Sequence, residues 1–143
     1  MSARSVDHGN VAREVCAVPI RVREQQIEFC LVSLERASRW EFPHTTIGAD
    51  EPPLEAACRC LLDQAGLECR PIFDEPLDTV LATQNRRLVE LVAFLMEVEP
   101  VELADLSKTG RKIRWCLAEE ARARIRRKPM RRLIDLAIRR LPG

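Results

Sequence analysis

Long apolar runs are missing from this chain: none approaches the eighteen or so residues a membrane-spanning helix needs. The first residues, MSARSVDHGNVARE, also lack the apolar segment of a secretory signal. These two absences point away from a membrane protein and lead us to expect a soluble, cytoplasmic chain. There is no internal repeat, low-complexity segment or long linker. At 143 residues the chain has the usual size of one domain and enough length to bury a real core. We expect one domain over residues 1–143, with 1–13 as a flexible N-terminus.

A disulfide or zinc framework is lacking too. The six cysteines, Cys16, Cys30, Cys58, Cys60, Cys69 and Cys116, are scattered through apolar segments, which reads as buried thiols. Only Cys58 and Cys60 are close in sequence. Two positions apart on a helix they point about 160° apart, which does not suit a shared zinc ion. What is abundant is charge, unevenly placed: Lys108 to Gly143 holds thirteen Lys and Arg against Glu119, Glu120 and Asp135, while acidic residues prevail before it. This basic C-terminal region is either a phosphate or nucleic-acid surface or the solvated face of C-terminal helices, where positive charge suits the helix dipole.

Apolar patterning supplies the elements. Val15–Arg23 and Ile27–Glu35, split by Glu24-Gln25-Gln26, predict a β-hairpin with Pro19 at an edge or bulge. Pro52 and Pro53 suit only a first helical turn. Leu54, Ala57, Cys58, Leu61, Leu62 and Ala65 then recur at helical spacing, and Gly66 provides the stop. Leu88–Val98 predicts a central strand and Lys112–Leu117 a shorter one. From Ala118 the pattern turns helical, breaks at Pro129, and resumes with Met130, Leu133, Ile134, Ala137, Ile138 and Leu141 on one face.

The segment 40–67, WEFPHTTIGADEPPLEAACRCLLDQAGL, resembles the signature of the Nudix hydrolases, G-x5-E-x7-R-E-U-x-E-E-x-G-U with U aliphatic, commonly preceded by W-x-F-P-G-G. Trp40-Glu41-Phe42-Pro43 matches the lead-in, Glu51 the first Glu, Arg59 the Arg, Leu61 the aliphatic position, and Gly66-Leu67 the end, with unbroken spacing. Ala17-Val18-Pro19-Ile20 resembles the first strand of the branch that handles dinucleoside and diphosphoinositol polyphosphates. Arg114-Trp115 and Leu117-Ala118-Glu119-Glu120 are similar to the usual approach to the last helices. The resemblance covers about residues 14 to 140. It implies a mixed β-sheet sandwiched between helices, α/β/α, and a hydrolase of nucleoside-diphosphate-linked (pyrophosphate) substrates using Mg2+ or Mn2+.

Cleaving a pyrophosphate requires a water in line with phosphorus while magnesium neutralises the phosphate oxygens. Magnesium wants hard oxygen ligands in octahedral geometry, which carboxylates one turn apart on a helix provide. Here the ligand segment reads Arg59-Cys60-Leu61-Leu62-Asp63-Gln64, so Cys60 and Gln64 occupy expected Glu positions and Asp63 alone is acidic. His44-Thr45 replaces the two glycines, Asp50 replaces a further Gly, and Thr109-Gly110-Arg111-Lys112 is basic where many members carry a carboxylate.

By resemblance Glu51 and Asp63 are the residual catalytic and metal-binding acids and Arg59 their organiser. On the residues alone, Glu51 and Arg59 equally form a brace between loop and helix, and Glu55, Arg59 and Asp63 an ordinary i, i+4 ladder. His44 is either a phosphate contact or base, or a solvated loop residue. Arg36, Arg39, Arg86 and Arg87 either reach a phosphorylated ligand or keep the surface soluble. Trp40 and Phe42 read as core or pocket floor, Trp115 as core. Two functions follow: a hydrolase whose activity is weak or lost, or a non-catalytic module binding a nucleotide, a nucleic acid or a protein.

Overall fold

The computed structural model of the chain describes residues 12–33, 39–84, 86–98 and 112–141. Strands β1 (Ala12–Arg23) and β7 (Arg87–Val98) run parallel from Ala12↔Val89 to Ile20↔Glu97 and form the centre of an eight-stranded mixed sheet. Both are apolar through their middles because both of their faces are covered. On β1, Cys16, Val18 and Ile20 enter one core cluster, whereas Val15 and Ala17 enter the other. The first cluster receives Ala121 of α2 (Ala118–Arg124), Ile125, and Leu133, Ile134 and Ala137 of α3 (Lys128–Arg140). The second receives Ala56, Ala57, Leu61 and Ala65 of α1 (Pro53–Ala65). The sheet is therefore the middle layer of an α/β/α sandwich.

β2 (Gln26–Ser33) returns antiparallel beside β1, and β8 (Ile113–Leu117) closes its other edge. The short strands β3 (Trp40–Glu41), β4 (His44–Thr46) and β5 (Cys69–Pro71), together with β6 (Asp78–Gln84), are not marked by apolar periodicity. They form because β2, β1 and β7 offer unpaired edges, not because their own sequences insist on strand. β1 begins at Ala12, inside the stretch expected to be flexible.

Three expectations need correction. Pro19 is not at a sheet edge: it lies in the central strand, paired in register with Met96. It is tolerated because the antiparallel partner of β1 changes there, from β4 at Glu14–Cys16 to β2 at Ile20–Arg23, so no ladder bond needs its missing N–H. The apolar stripe of α1 is also rotated. Ala56, Ala57, Cys60, Leu61 and Ala65 are its buried residues, while Leu62 is 50% exposed. The small side chains let the helix settle on its Ala and Cys face, and Cys60 turns inward. Pro129 likewise does not break a helix; it sits in the first turn of α3, where its missing N–H costs nothing.

Replacing Leu61, fully buried against the sheet, by Ala should cost about 2–5 kcal/mol in urea unfolding. Leu62→Ala should cost under about 1 kcal/mol. Equal losses would contradict the observed rotation of the helix.

Candidate functional site

α1 starts with Pro52 and Pro53 and no side-chain cap, and ends at Gly66, which is left-handed (φ 69°) and donates its N–H to the Leu62 carbonyl at 2.9 Å. The loop before it is tied to its exposed side. Arg59 Nε donates to Glu51 Oε2 at 2.8 Å and Arg59 Nη2 to Glu51 Oε1 at 3.0 Å, a two-point pairing. The same Nη2 donates to the Thr46 carbonyl at 3.1 Å, and the Gly48 N–H donates to Glu51 Oε1 at 3.0 Å. These donors hold the Glu51 carboxyl below its usual range, Arg59 foremost. A Cβ at Gly48 would lie 3.2 Å from Glu51 Oε1, a tight contact from which the Glu51 carboxylate would have to draw back by a few tenths of an ångström. The contact expected between Glu51 and Arg59 is thus present.

Asp63 lies 3.8 Å from Arg59 Nη1 with its side chain 62% exposed. Cys60 is 1% exposed. Gln64, at the second expected Glu position, donates its Nε2–H to the backbone carbonyl of His44 at 2.6 Å. Magnesium does not fit this donor set. Both Glu51 oxygens already accept N–H groups, Cys60 is a buried thiol, and Gln64 presents a donor to the loop. Among the described residues no three His, Cys, Asp or Glu side chains converge as a metal site.

The second half of the site was not read from the sequence. His44 is a strand residue, not a solvated loop residue: it pairs in register with Cys16, and its ring lies between two carboxylates. Nδ1 is 3.2 Å from Glu14 and Nε2 is 3.0 Å from Glu41. Burial alone would expel the proton, but the hydrogen bonds to Glu14 and Glu41 and their charges outweigh it and lift His44 to about 9. The hydrogen bond from His44, with Arg127, in turn holds Glu41 below its usual range against burial. Arg127 Nη2 donates to Glu41 Oε1 at 3.1 Å from a position just before α3. Glu41 is the one buried charged residue among those described. An acidic residue between Trp40 and Phe42 was the available signal; nothing local in the sequence pointed to Glu14 or Arg127.

This network borders a pocket of ≈ 180 Å³ lined by Arg39, Trp40, Glu41, Ile125, Arg126, Arg127 and Met130. Arg124 lies over the Trp40 ring at 5.9 Å. Phe42 is core; Trp115 is only half-buried and lies under Arg21 at 4.2 Å. Arg86, in the β6–β7 turn with φ 66°, and Arg87, at the start of β7, are exposed. Neither makes an ion pair or hydrogen bond with Glu51, Arg59, Asp63 or His44. Arg36 lies outside the described residues.

The fold is that of Nudix hydrolases of known structure. The Ap4A hydrolase of C. elegans superposes with a TM-score of 0.78 at 19% identity, over 90% of this chain and 97% of its own. The NUDIX domain of Shewanella oneidensis NrtR complexed with ADP ribose gives 0.68 at 19% identity, over 92% and 89%. A NUDIX hydrolase from Nitrosomonas europaea gives 0.69 at 19% identity, over 90% and 89%. By sequence, no family model and no curated protein matches the chain.

His44 is raised on folding, so its contribution is complete below its ordinary value near 6.5 and is lost as pH climbs through about 9. Urea unfolding should lose on the order of 3 kcal/mol across that window, and His44→Gln should flatten the slope; an unchanged slope would rule out the carboxylate-held imidazolium. Separately, Gln64→Glu sets a carboxylate against the His44 carbonyl. It should destabilise by about 1–3 kcal/mol in EDTA and recover part of that in Mg2+ or Mn2+, whereas the unmodified protein's melting temperature stays indifferent to either cation.

Proposed function

We propose that this chain is a Nudix-fold module that binds the diphosphate portion of a nucleotide-type ligand and hydrolyses it weakly or not at all. One observation carries the reading: Gln64 spends its side chain on the His44 carbonyl at a position where the Nudix signature expects a metal-binding Glu. With Glu51 held by Arg59 and Cys60 turned into the core, magnesium would keep its water shell. Loss of a single electrostatic contact at a developing charge costs about 10² to 10³ in rate, and loss of the metal removes activation of the water as well.

Binding is a smaller demand than catalysis. Arg39, Arg126 and Trp40 line the pocket, so cationic and aromatic surfaces converge where a phosphate and a neighbouring ring would sit. Its ≈ 180 Å³ is below the roughly 300–1,000 Å³ of a site that encloses a whole small ligand. It would hold a phosphate or ribose and leave the remainder on the surface. The similar structures support this ligand class: one is an Ap4A hydrolase and another holds ADP ribose.

The specific alternative is a hydrolase that works through Asp63, the acid left exposed on α1. Titration calorimetry with ADP-ribose and Ap4A, in EDTA and in Mg2+, separates the two alongside phosphate-release assays with Mg2+ and Mn2+. We expect binding that is indifferent to EDTA, roughly tenfold weaker in Arg39→Ala with Arg126→Ala, equivalent to about 1.4 kcal/mol, and background turnover. Metal-dependent turnover abolished by Asp63→Ala would establish the hydrolase instead. No binding by either ligand would reject the nucleotide reading.

A further inference from the structure

We propose that the outer face of α3 is a docking track for a nucleic-acid phosphate backbone. The helix buries Met130, Leu133, Ile134 and Ala137. Lys128, Arg131, Arg132, Asp135 and Arg139, spaced i, i+3, i+4, i+7 and i+11, form the stripe opposite. The one acid of the stripe is already engaged: Arg122 Nε donates to Asp135 Oδ1 at 3.0 Å. None of the four cations has a carboxylate partner among the described residues. Elsewhere Arg13, Arg21, Arg59 and Arg114 each meet a carboxylate within about 3 Å. The stripe is cationic and uncompensated.

A merely solvated face does not account for where these charges lie. The dipole favours cations only in the last turn, which suits Arg139 and Arg140. The first turn carries no acidic residue at all and instead holds Lys128 and, at its end, Arg131, with Arg126 and Arg127 just before it. Cations at that end oppose the dipole, each at a cost of some tenths of a kcal/mol. Stability alone would place Asp or Glu there; an anionic partner reverses the sign of the effect.

The shape of the patch selects the partner. From Lys128 to Arg139 the helix rises about 16 Å, the length of about five phosphates of one strand at 3.4 Å each. Guanidinium forks match phosphate oxygens. A membrane-surface helix needs an apolar face free to enter lipid, and here that face is packed into the core. Arg126, Arg127 and Met130, at the start of α3, also line the small pocket beside Trp40. A strand anchored there would continue along the stripe. That end of the track rests on the nucleotide reading; the stripe itself does not.

The test is fluorescence anisotropy of the whole protein with labelled single-stranded RNA, single-stranded DNA and duplex DNA, each about twenty nucleotides long, across 50–200 mM salt. Four phosphate contacts on a single strand predict a slope of log affinity against log salt near about −3. Arg131→Ala with Arg132→Ala and Arg139→Ala should cut that slope by about two, weaken all sequences alike, and leave the melting temperature and ADP-ribose affinity unchanged. The same three positions changed to Lys should restore most binding. The stripe matches the phosphates of one strand, so the single-stranded arms should bind more tightly than duplex DNA, and a preference for duplex would overturn the single-strand track. Affinity and slope unmoved by the Ala substitutions would overturn the track, as would equal, stripe-dependent binding to phosphatidylserine vesicles. Stripe-dependent oligonucleotide binding without ADP-ribose binding would keep the track and reject the nucleotide reading of the pocket.

Discussion

The segment from β4 to Pro52 stays where it is because two side chains of α1 reach out and hold it. Arg59 grips Glu51 at two points and the Thr46 carbonyl with the same guanidinium, and Gln64 takes the His44 carbonyl. Without them the loop would present unsatisfied carbonyls and a carboxylate to the helix side, and a helix without an N-terminal side-chain cap would lose its anchorage. Arg59 itself is 42% exposed, so its ion pair adds little stability as a charge interaction. Its contribution is geometric: a planar fork that fixes where the loop turns. Gln64, more sheltered, supplies the firmer tie.

On the other face of the sheet a second fastening starts from the same residue. His44 gives its carbonyl to α1 and its ring to Glu14 and Glu41, and Glu41 reaches on to Arg127 ahead of α3. Two carboxylates and two cations give a local charge near zero, the condition under which partly buried ions are tolerable. Layers on both sides of the sheet are thereby coupled through one short strand. Placing a bulky imidazole where the Nudix signature has glycine is consistent with this, because a glycine could make only the backbone half of the connection.

How much of this the sequence disclosed depends on the range of the interaction. Long strands and helices with strong periodicity, β1, β7, α1 and α3, were legible because their own residues determine them. The spacing of Glu51, Arg59 and Gly66 was legible because it lies within a single loop and helix. Residues 40–41, 44–46 and 69–71 were not, since their strand state comes from neighbouring edges. Leu62 is exposed for a related reason: periodicity gives the amphipathic face only to within a fraction of a turn, and burial of Ala56 and Cys60 sets the rest. The contact of Arg127 with Glu41 spans 86 positions and had no local trace.

The two departures on α1 differ in weight for the same packing reason. Position 60 is buried, with Cys60 1% exposed, so a carboxylate there would lose most of its water. Unpaired burial of that kind costs several kcal/mol. Position 64 is only partly buried, and Glu there would keep nearly the same shape while setting an acceptor against the His44 carbonyl. Glu at 64 therefore costs a hydrogen bond, whereas Glu at 60 costs the burial of a charge. The thiol at 60 thus suits the buried face of α1, and the amide at 64 ties the helix directly to the His44 carbonyl.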